Sequence, residues 1–204
     1  MPVKLKNIGI FGGSFDPPHL GHLVIAEFAR RALKLDVVFL VPAYQPPHKT
    51  GKHTSTAQNR LAMTKLSVRG NPHLRVSDIE IRRKGISYTV DTVRAFRRKF
   101  PLSSLFLIIG SDSLEQFHSW KDPDAILALA SLAVYRRPGW RTAKSKAGRL
   151  TICEIKGPRM KLASSEIRKR LHDGRAIDEM VRENVFAYIM RNRLYERVTE
   201  KRVP

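Results

Sequence analysis

His19 and His22 stand three residues apart in the run Gly12-Gly13-Ser14-Phe15-Asp16-Pro17-Pro18-His19-Leu20-Gly21-His22. One turn of helix brings residues at that spacing to the same side, so both imidazoles can face a single ligand. An imidazole placed in this way donates to a phosphoryl oxygen whose negative charge grows during group transfer. The residues before them suit the same ligand. Gly12 and Gly13 let the backbone approach a phosphate with no Cβ in the way, and a helix beginning near Gly21 offers free N–H groups and a positive dipole end. The run reads as a nucleotide phosphate site; for H-x-G-H alone, two exposed histidines on a strand-to-helix turn is the competing interpretation.

A second anion-binding pattern comes late in the chain. Leu162-Ala163-Ser164-Ser165-Glu166-Ile167-Arg168 puts hydroxyls at a helix N-cap and an arginine one turn inside it, which suits a polyphosphate. Taken alone it is also an ordinary capped helix. Gly110-Ser111-Asp112 forms another strand-to-helix turn, where Asp112 alone would be a structural cap, and Trp120 alone would be a core aromatic.

Alternating strands and helices must hold these groups. A strand from Lys6 to Phe11 precedes the glycines, and Leu23, Ala26, Phe28, Ala29, Ala32 and Leu33 follow on a helical repeat. Asp36 to Val41 reads as a buried parallel strand stopped by Pro42. After a polar loop from Tyr44 to Ser55, helical spacing returns with Ala57, Leu61, Ala62 and Leu66, ending near Gly70-Asn71-Pro72. Leu74 to Ile81 is expected as a strand, then a helix marked by Val90, Val93, Phe96 and Phe100, then strands at Leu105 to Ile109 and Leu132 to Tyr135. A mobile loop from Arg137 to Arg149, a strand from Leu150 to Ile155 and helices from about Ser164 and Asp178 complete the pattern. This alternation predicts an α/β fold: a Rossmann-like, doubly wound parallel sheet with helices on both faces, ligands bound outside the strand ends. No repeat or linker divides it, so residues 1–204 are expected to form one domain, with 196–204 as a loose basic tail.

Composition narrows the class. A chain of 204 residues can bury one substantial core. Its hydrophobic content of 42% includes no apolar run long enough to span a bilayer, which argues against a membrane partner. The segment from Asn7 to Phe11 is too short for a secretory signal and runs straight into the motif. Cys153 is the lone cysteine and cannot make an internal disulfide, and no Cys/His cluster has zinc-like spacing, so a reducing cytoplasm and no resident metal are expected. The formal charge of +20 would speed the encounter with polyanionic substrates. Arg82-Arg83-Lys84, Arg97-Arg98-Lys99 and the stretch from Arg191 to Arg202 read as solvated faces of separate elements. The absence of a basic stripe interleaved with aromatics argues against nucleic acid. The residues leave open whether the chain forms a homo-oligomer.

The histidine run resembles the signature of the nucleotidyltransferase superfamily, G-[ST]-F-D-P-x-H-x-G-H, and matches it at every fixed position. Residues 162–168 are similar to the superfamily's I-S-S-T-x-I-R element, with Ala163 where the first serine stands. Gly110-Ser111-Asp112 resembles its G-[AS]-D turn. Within the superfamily, Pro42-Ala43-Tyr44-Gln45-Pro46-Pro47-His48-Lys49 is similar to the P-x-x-x-P-P-H-K loop of bacterial nicotinate-nucleotide adenylyltransferases. Ser87-Tyr88-Thr89-Val90-Asp91-Thr92 resembles their S-Y-T-x-D-T segment, and Asp112 through Leu114, Phe117 and Trp120 resembles D-x-L-x-x-F-x-x-W. With Val185 to Tyr195, which also fits, the resemblance covers about residues 7 to 195.

That resemblance implies transfer of the adenylyl group of ATP to nicotinate mononucleotide, giving nicotinate adenine dinucleotide and pyrophosphate; the alternative acceptor is nicotinamide mononucleotide or another phosphate compound. The attacking phosphate monoester has a second pKa of about 6, so no general base or covalent intermediate is required. Catalysis then consists of in-line positioning and charge neutralisation. The resemblance assigns His19 and His22 to the α- and β-phosphates, Lys49 to the transferring region, and Ser164, Ser165 and Arg168 to the outer phosphates. Gly12, Gly13, Ser14, Phe15 and Gly110 complete the ATP site, and Asp112 accepts from a ribose hydroxyl. Nicotinate mononucleotide falls to Tyr44, His48, Lys49, Tyr88, Thr89, Val90 and Trp120, with the ring near Trp120 and the carboxylate on Thr89 and neighbouring main-chain amides. Tyr44 stands where some members carry asparagine. Mg²⁺ is expected to arrive with ATP and keep most of its waters, because the motifs supply no carboxylate cage. Phosphopantetheine adenylyltransferases and cytidylyltransferases share the histidine motif but lack the Pro46-Pro47-His48-Lys49 loop, the chain is too short for a tRNA synthetase, and only charge favours an RNA-binding protein.

Overall fold

Near-continuous runs of Val, Ile, Leu and Phe are what parallel strands need when both their faces are covered, and this chain has such runs at the centre of its sheet. The computed structural model describes residues 5–47, 55–136, 152–155, 157–158 and 162–196. Its strands are β1 (Asn7–Gly13), β2 (Val37–Pro42), β3 (Leu74–Val76), β4 (Ser104–Gly110), β5 (Ser131–Tyr135) and β6 (Ile152–Ile155). All pair in parallel in the order β3-β2-β1-β4-β5-β6. The order reverses direction between β1 and β4, and the crevice beyond their carboxyl ends is where an open α/β sheet binds ligands.

Helices cover both faces. On one, α4 (Thr89–Lys99) and α6 (Pro123–Leu129) set Val90, Val93, Phe96 and Ile126 against Ile8, Ile10, Leu107 and Leu132. On the other, Ala26 and Ala29 of α1 (Leu20–Ala32) pack on Val38, Leu40, Ile108 and Ala133. A third apolar cluster joins Met63 of α2 (Ala57–Ser67) to Ile167 of α7 (Ser164–His172) and to Val185 and Ile189 of α8 (Glu183–Arg191). The doubly wound parallel sheet expected from the sequence is the fold observed.

Several local expectations are corrected. The strand expected over Leu74 to Ile81 ends at Val76, and α3 (Ile79–Arg83) begins after Asp78; the last ladder bond runs from Ser77 N to Leu40 O, and Arg82 pairs with Asp78 along the helix. The helix expected from Asp178 starts at Glu183 because residues 178–180 turn, with Met180 N bonded to Ile177 O. In α2 the buried face is Arg60, Met63, Thr64 and Ser67 rather than the Leu61 and Leu66 stripe. Phe28 of the expected core repeat is 40% exposed. The helix expected after Gly110-Ser111-Asp112 is present as the short α5 (Ser111–Glu115), whereas the 3₁₀ turn at Phe117–Ser119 and α6 were not foreseen. The 137–149 loop, Leu150 and Thr151 of the expected strand, and residues 197–204 of the tail lie outside the described residues.

Candidate active site

The two histidines meet at the start of α1. His19 is the N-cap, in extended conformation, and His22 is the third helical residue. Their rings stack with centroids 3.6 Å apart and planes 26° from parallel. His22 Nδ1 accepts the His19 main-chain N–H at 3.1 Å, which puts the proton of a neutral His22 on Nε2 and makes that nitrogen a donor. Gly21 makes the stack possible, since a Cβ there would stand 3.0 Å from His19 Nδ1. The Phe15 ring meets His22 edge-on at 5.0 Å and Phe11 at 5.8 Å. Phe15 holds a left-handed φ of 50°, unusual for an aromatic residue, and that geometry sets its ring against Gly13, where a Cβ would lie 3.0 Å away. Gly12 by contrast faces open space: a Cβ there meets nothing within 4 Å among the described residues. Both glycines remain in β1, paired with Val41 and Pro42, so the turn begins at Ser14.

Late segments of the chain hold the loop between β1 and α1. Arg168 Nη1 donates to Asp16 O at 2.8 Å and Ser164 Oγ to Pro17 O at 2.9 Å. Ala163 is the N-cap of α7, so Ser164 and Ser165 stand inside the first turn rather than at the cap; Ser164 is half-buried and Ser165 exposed. Leu20 N donates to Met180 O at 2.9 Å. The Asp16 side chain is 2% exposed and accepts from Ser55 Oγ at 2.5 Å and from Tyr195 OH at 2.7 Å. Burial, with the Asp16 charge beside it, pushes the Tyr195 hydroxyl well above the usual phenol range, so it stays a donor to the carboxylate.

Across the crevice, β1 and β4 pair through Phe11 and Ile108, so Gly13 and Gly110 leave the sheet on adjacent strands. Gly110 caps α5, which carries Asp112 exposed in its first turn. Tyr88 is the N-cap of α4, and Thr89 and Val90 are its first residues, where main-chain N–H groups have no partner within the helix. The Val90 side chain is fully buried in the core, leaving only its main chain for a ligand. Lys121 Nζ sits over the Tyr88 ring at 4.2 Å, which brings the Trp120 segment beside Tyr88, and Trp120 packs half-buried on Phe117 at 5.3 Å. Tyr44 N donates to Ser87 Oγ at 2.9 Å, tying the loop after β2 to the segment that opens α4. His48 and Lys49 lie outside the described residues.

The sequence gives little sign of Arg60, Glu80, Ser55 and Tyr195, which support these loops from beneath. The signal available was positional: Arg60, Met63, Thr64 and Ser67 share one helix face, and a methionine among polar residues on a buried face marks a built polar interior. Among the described residues no group of three or more His, Cys, Asp or Glu side chains is arranged to hold a metal ion, and no described helix is long and apolar enough to cross a membrane.

A family model described as cytidylyltransferase-like matches residues 10–170. The chain is 42% identical to a "Probable nicotinate-nucleotide adenylyltransferase" of Salinibacter ruber, over 92% of this chain and 97% of that one. It is 40% identical to a protein of the same description from Thermomicrobium roseum, over 95% and 94% of the two chains. Its fold is similar to the solved structure of Plasmodium falciparum nicotinic acid mononucleotide adenylyltransferase complexed with NaAD, with a TM-score of 0.78 at 20% identity over 93% of this chain and 97% of that one.

Proposed function

Because the chain belongs to the nicotinate-nucleotide adenylyltransferases of the cytidylyltransferase-like family, we propose that it joins nicotinate mononucleotide to the adenylyl group of ATP, releasing pyrophosphate. The observation that carries this reading is the stacked pair His19 and His22 at the N-terminus of α1, beside the point where the strand order reverses. An oxygen of the acceptor's phosphate attacks the α-phosphorus, and the bond to the β-phosphate oxygen breaks as pyrophosphate leaves. The His22 Nε2–H and the α1 dipole stabilise charge that grows on the phosphoryl oxygens. Arg168, fixed by Asp16 O, presents the rest of its guanidinium fork to the outer phosphates with Ser164 and Ser165. Mg²⁺ enters as part of the ATP complex, held by the phosphates rather than by a cage of side chains. The lone Cys153 suits a reducing cytoplasm as the place of that activity.

Acceptor choice follows from donors. Thr89 Oγ and the first N–H groups of α4 all donate, which suits the nicotinate carboxylate; an amide would turn its own NH₂ toward at least one of them. A mispaired buried polar group costs about 1 to 3 kcal/mol, and the charge-assisted bond is lost as well, so preference for the acid is expected to be at least about 10²-fold. The test is pyrophosphate release with ATP, Mg²⁺ and nicotinate mononucleotide, nicotinamide mononucleotide or pantetheine phosphate in parallel. The expected result is the highest kcat/KM for nicotinate mononucleotide, eroded in Thr89→Val; no release with either pyridine mononucleotide would overturn the reading.

A further inference from the structure

Arg60 is the largest fully buried side chain among the described residues, 1% exposed, and it lies beneath the candidate site rather than in it. Its Nη1 donates to Ser14 O at 2.9 Å and to Ala43 O at 2.5 Å, and its Nη2 donates to Tyr44 O at 2.9 Å. Ser14 belongs to the loop after β1 and Ala43 and Tyr44 to the loop after β2, so one planar fork spans both. The Tyr44 peptide is gripped from its other side too, because Ser87 Oγ accepts its N–H at 2.9 Å and that of Gln45 at 3.4 Å. Ser87 N returns a bond to Gln45 O at 2.8 Å. The Ser87 hydroxyl stands close enough to the buried Glu80 carboxylate to oppose the rise that burial gives it, and that carboxylate accepts from Thr92 Oγ1 at 2.5 Å. A continuous polar chain therefore runs from Ser14 through Arg60, Tyr44, Ser87 and Glu80 to Thr92, one turn into α4.

Stability alone does not explain this arrangement. A buried cation loses its hydration, and well-packed apolar side chains of similar volume are often as stable or more so. Burial pulls the Arg60 guanidinium below its ordinary value, with the Asp16 charge opposing, and Arg60 Nε has no partner among the described residues. What the fork gives that an apolar residue cannot is a fixed spacing between carbonyls on two different loops. Resting on the functional reading above, those loops belong to different substrates: Ser14 to ATP, Tyr44 and the start of α4 to the acceptor.

We infer that Arg60, through its bonds to Ser14, Ala43 and Tyr44, is a positioning residue that sets the distance between the nucleotide loop and the acceptor loop, with Ser87 and Glu80 carrying the same registration to the start of α4. Arg60 touches neither substrate. Its contribution lies in alignment of the attacking oxygen with the α-phosphorus, where a misplacement of about 1 Å lowers the rate on the order of 10²-fold. Each substrate binds mainly to its own loop, so binding of either one alone depends little on the fork.

The test compares wild type with Arg60→Lys, which keeps the charge but not the three-carbonyl span, and Ser87→Ala, which cuts the chain at a less buried cost. Wild-type turnover with nicotinate mononucleotide checks the functional reading by itself, before any variant is made. Against an active wild type, kcat is expected to fall at least about 10-fold in Arg60→Lys and less in Ser87→Ala. The calorimetric Kd values of nicotinate mononucleotide alone and of a non-hydrolysable ATP analogue alone should each stay within about 3-fold of wild type for variants whose melting curves show a folded protein. Should Arg60→Lys fail to fold, Ser87→Ala decides by the same measurements. A kcat within about 2-fold of wild type in the folded variants, or a loss carried entirely by the separate Kd values, would overturn the assignment.

Discussion

The His22 ring lies on the His19 ring at 3.6 Å, and the same His22 accepts the His19 main-chain N–H through Nδ1. Each histidine thereby fixes the other. The N-cap residue sets where His22 Nδ1 must point, and His22 supplies the flat surface that holds the His19 ring against the first turn of α1. Under the proposed function, two imidazoles held in this way would lose little further freedom on meeting a phosphate, which is the preorganisation that electrostatic catalysis requires.

His22→Ala removes both the donor and the stacking surface. Turnover should fall on the order of 10²- to 10³-fold, with a smaller change in KM for ATP, because the lost interaction is strongest with developing charge. Steady-state kinetics on the folded variant check this, and near-normal kcat would remove His22 from the reaction.

Gly21→Ala separates geometry from stability. Ala is the better helix former by about 1 kcal/mol, so the melting temperature should hold or rise. The new Cβ, however, would lie 3.0 Å from His19 Nδ1 and 3.1 Å from Cε1, displacing the ring from its stack. A stable protein with kcat lowered about 10-fold is expected; unchanged turnover would mean that the position of the His19 ring is unimportant.

Arg168→Lys keeps a cation but gives up the fork that holds Asp16 O. Affinity for the ATP analogue should drop on the order of 10-fold, as for loss of one hydrogen bond to a charged group. Nicotinate mononucleotide binding should change little. Calorimetry showing an equal loss for both ligands would place Arg168 elsewhere.

Glu27 provides an acid-sensitive contact on α1. It accepts from Arg30 Nε at 3.0 Å and Nη2 at 2.7 Å and from Arg31 Nε at 2.9 Å, and the Arg30 bonds lead in holding its carboxyl down at about 2 against an ordinary 4.5. A folded pKa below the unfolded one stabilises above the unfolded value, and that stabilisation is lost as pH falls from about 4.5 through about 2. Glu27→Gln should therefore cost about 1 kcal/mol near neutral pH, as expected for a partly exposed helix pair. Urea midpoints should draw together as pH falls below about 4.5 and meet those of wild type only below about pH 2; a gap independent of pH would assign the effect to packing.

The legible part of the fold was the part that solvent exclusion dictates. Strands such as Val37 to Val41 and Leu105 to Ile109 are buried on both faces and read as unbroken apolar runs, so strand, turn and helix order followed directly. Leu74 to Ile81 misled because Leu74 and Val76, and again Ile79 and Ile81, stand two apart as in a strand, but the three-residue step between the pairs breaks the alternation where the ladder ends at Ser77 and Asp78 opens a helix that turns Glu80 inward. The upper side of the site was legible in its motifs. Its support was not: an arginine on a helix is usually a surface residue, and nothing local tells that Arg60 faces two loops that lie 46 and 17 residues before it. Its partners are main-chain carbonyls, which leave no mark in residue types.

Asp16 and Tyr195 are 179 positions apart, yet the phenol holds the carboxylate. Leu20, Pro17 and the Asp16 carbonyl are likewise held by Met180, Ser164 and Arg168. A chain made on the ribosome in N-to-C order therefore completes the six described strands, the last ending at Ile155, before any of these partners has been translated. The histidine loop is among the first segments synthesised and among the last to be immobilised, so a nascent polypeptide stalled before α7 would have its sheet but no working catalyst.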